Sequence, residues 1–124
     1  MFRNTVLVFA MVTIANFSVA NDPEPTLDDA ASCAAFTQVI DNRYGDVQFV
    51  LDEQIVLDRI YENSFRRMSF ISQRDGLSPT TAAVRYGHYL EQHDFDLSLG
   101  ESRGVKFTKA TLAAFIDGTC GRFN

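Results

Sequence analysis

"DVQFVLDEQIVLDRIYENSFRRMSFISQ", residues 46–73, is the stretch whose reading decides the fold. Two of its runs, VQFVL and IVL, are rich in β-branched residues and could pass for strands. The intervening Asp52-Glu53-Gln54 breaks the alternation that a strand requires, and no hairpin turn separates the runs. On a helical wheel Val47, Val50, Leu51, Leu57, Tyr61, Phe65 and Met68 share one face, while Asp52, Arg59, Glu62 and Arg66 fall opposite. Glu62 and Arg66 stand in the favourable i,i+4 order. The pattern predicts one long helix, capped by Asp46 and running to about Gln73. Phe49, Val56 and Ile60 widen its apolar face, which marks it as the central helix, contacted from more than one side.

Working outward, "NRYGD" at 42–46 reads as a turn, and a first helix precedes it. Thr26 is placed to cap that helix, with Asp28 and Asp29 in its first turn. Cys33, Phe36 and Ile40 recur at helical spacing among four alanines, as far as about Asn42. Downstream, "RDGLSP" at 74–79 is strong punctuation: Gly76 suits a left-handed C′ position, Ser78 an N-cap and Pro79 the first helical residue. The third helix is expected from Pro79 to about His93, with Ala82, Tyr86, Tyr89 and His93 on one face. Ala83 and Gly87, beside that face, would let another helix approach closely. "DFDLSLGESRGVKF" at 94–107 then reads as a long loop. Thr108 caps a short last helix through Leu112, Phe115 and Ile116, ended by Gly118. The expectation is an all-α fold, a small four-helix, bundle-like domain over residues 26–124.

The two ends carry information of a different kind. "MFRNTVLVFAMVTIANFSVA" at 1–20 has one positive charge, an apolar run and a small-residue Ser18-Val19-Ala20 close. That layout predicts a secretory signal peptide cleaved after Ala20, hence a periplasmic or secreted protein. Residues 21–25, acidic and Pro-containing, are expected to be a disordered lead-in. Removing residues 1–20 takes Arg3 away and leaves 10 basic against 16 acidic residues, a net charge of −6. This excludes generic nucleic-acid binding, which needs a basic footprint, and adhesion to anionic lipid. In an oxidising compartment the two cysteines, Cys33 and Cys120, are expected to pair, joining the first and last helical segments. Closing so long a loop is worth about 4–5 kcal/mol in the chain-entropy model.

Little in the sequence points to chemistry. "GESRG" at 100–104 fits the G-x-S-x-G elbow of hydrolases, but no histidine follows Ser102, as the order of that triad requires. It reads instead as flexible loop. His88 and His93 are five apart and cannot chelate one ion together. His93-Asp94-Phe95-Asp96 offers ligand atoms without fixed geometry, so His93 reads as packing on Tyr89 and supporting the helix C-terminus. Arg66-Arg67 reads as a solvated face. Gln54 and Asp58, four apart inside the apolar stripe of the long helix, form the one polar site worth following, either as an internal hydrogen-bond anchor or as a binding site. No catalytic residue, metal or cofactor is implied.

"CAAF" at 33–36 and "LAAFIDGTC" at 112–120 bracket the helical middle. The arrangement resembles small exported bacterial helical proteins with one disulfide: the Hde family of acid-stress chaperones and the Rap/Tai immunity proteins of type VI secretion. The resemblance rests on Cys33, Phe36, Leu112, Phe115, Ile116 and Cys120. It implies a non-enzymatic protein with a protein partner, acting as an immunity factor, inhibitor or adaptor. The alternative it implies is an acid-activated periplasmic chaperone.

Overall fold

Thr26 opens the first helix with a reciprocal cap. Its hydroxyl accepts from the Asp29 N–H at 3.0 Å, and the Asp29 carboxylate accepts from the Thr26 N–H at 3.0 Å. The computed structural model describes residues 23–45 and 51–124. The signal peptide over residues 1–20, most of the 21–25 lead-in's first half, the Asp46 cap, and Val47, Phe49 and Val50 lie outside the described residues. Among the described residues there are four α-helices and no strand. These are α1 (Leu27–Tyr44), α2 (Leu51–Arg74), α3 (Pro79–Ser102) and α4 (Lys109–Asp117), followed by a 3-10 turn at Thr119–Phe123.

The connections follow local chemistry. After α2 the Leu77 N–H reaches back to the Ser72 carbonyl at 2.8 Å. Gly76 occupies the left-handed C′ position, at φ 66°, that this closure requires. Ser78 then caps α3, accepting from the Thr81 N–H at 3.3 Å, with Pro79 as the first helical residue. Thr108 caps α4 in the same manner.

The central helix is α1 rather than the longer α2. Ala30, Ala31, Ala34, Ala35 and Ile40 of α1 are fully buried, and both α2 and α3 pack along it while meeting each other only briefly. Alanine explains the exchange of roles: with no side chain beyond Cβ, neighbouring backbones can come close on two sides at once. The periodicity of α2 made it look like the hub, but its core contribution is one stripe of Leu57, Ile60, Ser64, Met68 and Ile71.

A second correction concerns residues 94–107. The expected long loop is helical as far as Ser102, and only Arg103–Lys106 turns back. Leu97, one turn beyond His93, packs against the cluster of Ile40, Leu57, Phe107 and Leu112. Arg43 of α1 holds the added turns, donating from Nε to Asp94 at 2.9 Å, from Nη1 to Glu101 at 2.9 Å and from Nη2 to Ser98. Glu101 also accepts from the Tyr44 hydroxyl, which holds its carboxyl below the usual range. Two local readings change with the helix. Residues 100–102 of "GESRG" are helix rather than flexible loop, and His93 lies mid-helix rather than at the C-terminal end of the dipole.

The disulfide joins Cys33 in the middle of α1 to Cys120 in the terminal 3-10 turn, with Cα atoms 5.5 Å apart. Around it, Asn63 donates to the Phe123 carbonyl at 2.7 Å and Arg59 to the Asn124 side chain at 2.9 Å. Gly121 permits this docking, because a Cβ there would stand 2.1 Å from the Ile116 carbonyl oxygen. At the other end of the described chain, Pro23 accepts from Arg122 and Glu24 lies 3.6 Å from Arg74.

Candidate functional site

Because α2 and α3 pack along α1 and meet each other only briefly, they leave an open trough near their connecting turn. One wall comes from the C-terminal half of α2 (Phe65, Met68, Ser69, Ser72), the other from the start of α3 (Pro79, Ala82, Ala83, Tyr86), and Leu77 closes the end. The volume is about 410 Å³, in the range of ligand-sized clefts. The lining is apolar with small residues on both walls. Phe65 packs against Tyr86 with ring centroids 4.9 Å apart, and against Tyr61 at 4.7 Å. Burial, together with the neighbouring Tyr61, pushes the Tyr86 phenol up to about 12, so it faces the trough as a neutral hydroxyl. Ser72 Oγ is buried behind the wall without a hydrogen-bond partner, which costs free energy.

The trough continues over the outer side of α2. Phe65, Ser69 and Gln73 also border a shallow depression beside Arg66 and the half-exposed Phe70. The guanidinium of Arg67 lies 5.4 Å and that of Arg74 5.7 Å from the Phe70 ring centre, within cation–π range. The expected i,i+4 pair of Glu62 with Arg66 is not an ion pair within 4.0 Å.

The residues singled out from sequence fall elsewhere. Gln54 and Asp58 do meet: Gln54 Nε2 donates to Asp58 Oδ1 at 3.0 Å and reaches Asp41 Oδ1 of α1 at 3.4 Å. With Thr37 and Tyr61 they line a small cleft of about 140 Å³ at the α1–α2 seam. Asp58 is exposed there, so its carboxylate stays hydrated.

His93 Nε2 faces Ser32 Oγ at 3.0 Å and the Ser32 carbonyl at 3.2 Å. Phe36 packs edge-on at 5.0 Å and Tyr89 lies parallel at 6.0 Å. Burial pulls the imidazole below its ordinary value. Ser32 sits mid-helix, where the backbone N–H groups an oxyanion would need are engaged in helix bonds. The space over Gly87 is open, with no helix against it.

Sequence reading did not find the trough, although its signals were present. Ser69 and Ser72 on one helix and Ala82 and Ala83 on the next are small residues on facing walls, and Phe70 stands among arginines. Among the described residues, no group of three or more His, Cys, Asp or Glu could hold a metal ion, and no helix is long and apolar enough to cross a membrane. No family model, curated protein or solved structure matches this chain.

Proposed function

We propose that this chain is an exported helical binding protein that works by docking a protein partner in the α2–α3 trough, as an immunity factor, inhibitor or adaptor does, and performs no catalysis. The observation that carries the reading is the trough itself. The core around it is closed by alanine-mediated packing and a disulfide, while an apolar recess is left open between α2 and α3. Export is supported by the signal-like leader and by the disulfide.

The test is capture from an envelope fraction with the native protein and with Ala83→Arg side by side. Ala83 is an exposed wall residue, so the arginine obstructs the recess without entering the core. A stoichiometric partner retained by the native protein and lost with Ala83→Arg is expected. Equal recovery by both proteins overturns the assignment of the trough.

A second reading, the acid-activated chaperone, is favoured by His93, half-buried between α1 and α3, where burial lowers its pKa and protonation therefore costs stability. Suppressed aggregation of a client at pH 3, together with lost near-UV CD, is what it requires. A protein fully folded at pH 3 that protects no client excludes it.

A further inference from the structure

The outer face of α2 concentrates positive charge in a chain whose net charge is −5. Arg59, Arg66, Arg67 and Arg74 lie along it over roughly four helical turns. Arg74 is engaged by Asp75 at 2.8 Å and by Glu24, and Arg59 by the neutral side chain of Asn124. Among the described residues, Arg66 and Arg67 have no carboxylate within 4.0 Å. Both sit beside Phe70, an aromatic ring 53% exposed; the depression of about 470 Å³ lined by Arg66 shares Phe65, Ser69 and Gln73 with the trough, whereas the one of about 320 Å³ that Arg67 lines shares no residue with it. Exposed aromatic and arginine side chains next to an apolar recess are the composition of binding hot spots.

From this juxtaposition we infer that the partner presents an acidic amphipathic helix, its apolar face in the α2–α3 trough and a flanking carboxylate on Arg66. The inference rests on the docking function proposed above and names the chemistry of the partner. Four features select a helix. The recess lies between two helices, where a third fits as a bundle neighbour. Its walls carry Ser69, Ser72, Ala82 and Ala83, small residues that permit close backbone approach. The connected surface from Glu62 to Gln73 is about 16 Å long, three turns of helix. Finally, no strand among the described residues offers an edge for an extended peptide. Acidity is selected by Arg66, which has no carboxylate within 4.0 Å and borders the depression continuous with the trough. Glu62, on the same surface, adds polarity: the partner's carboxylates belong toward Arg66, with a neutral or basic residue opposite Glu62.

The experiment uses synthetic 16-residue amphipathic peptides that share one leucine stripe and carry either glutamate or lysine on its flanks, with a scrambled glutamate peptide as reference. Binding to the full-length oxidised protein is followed by fluorescence anisotropy and by NMR shifts of the trough residues. The glutamate peptide is expected to bind about tenfold more tightly than the lysine peptide, shifting Met68, Ala82 and Tyr86. That preference should fall toward unity in Arg66→Gln, a surface change whose folding is checked by CD. Equal binding of both peptides, abolished by Ala83→Arg, leaves the docking trough in place but overturns the acidic partner. Binding that survives Ala83→Arg overturns both. So does binding by laurate with no peptide bound, or self-association of the protein through the trough with the peptides excluded.

Discussion

Ser64 is fully buried in the stripe of α2, and its hydroxyl has no hydrogen-bond partner. A serine at this position keeps the helix close to the alanines of α1, but alanine would do the same without burying a polar atom. An unsatisfied buried hydroxyl costs about 1–3 kcal/mol. Ser64→Ala is therefore expected to stabilise the fold by about 1 kcal/mol, read as a raised urea midpoint with an unchanged m-value.

His93 acts at the same scale with the opposite sign. Its folded-state value lies below the ordinary 6.5 because burial disfavours the imidazolium, so the unfolded chain takes the proton first. Its contribution to stability is complete above about 6.5 and is lost as the pH falls through the depressed folded value. His93→Gln should flatten that segment of the stability–pH profile; an unchanged slope would locate the titration elsewhere.

Among the elements, α3 shows where local reading stops. Ala82, Tyr86, Tyr89 and His93 were legible as one face because their spacing is helical. The remaining turns were not, because Asp94, Asp96, Ser98 and Gly100 favour a loop and the forces that overrule them come from elsewhere in the chain. Leu97 does continue the face, but its partners Ile40 and Leu57 are far away in sequence. Arg43 closes the case from α1. Its guanidinium is largely shielded, yet Asp94 and Glu101 are exposed enough that solvent screens much of each pair. Arg43→Ala is expected to cost about 1 kcal/mol in stability and to accelerate amide exchange at residues 96–102 well beyond that at residues 82–90. Uniform acceleration along α3 would show that Arg43 supports the whole bundle instead. The trough was illegible for a related reason: each wall could be read from its own helix, but their divergence is set by how α1 separates them.

For the whole molecule, the all-helical class, the four helices and the Cys33–Cys120 closure were all legible, since caps, turn residues and cysteine arithmetic are local signals. The hub was not, because periodicity ranks helices by their stripes and a helix packed on two sides has no single stripe to show. Removing the disulfide with Cys33→Ala/Cys120→Ala is expected to lower stability by about 2–4 kcal/mol, measured by denaturant unfolding under matched conditions. The same bond has a mechanical consequence. Since Cys120 lies four residues from Asn124 and Cys33 ten from Pro23, a molecule gripped at Pro23 and Asn124 and pulled carries the load through sulfur. While oxidised it can lengthen by only about 50 Å, because the 87 residues of separation between the cysteines stay bypassed. Reduction would release about 300 Å more, turning a nearly inextensible tether into a long one.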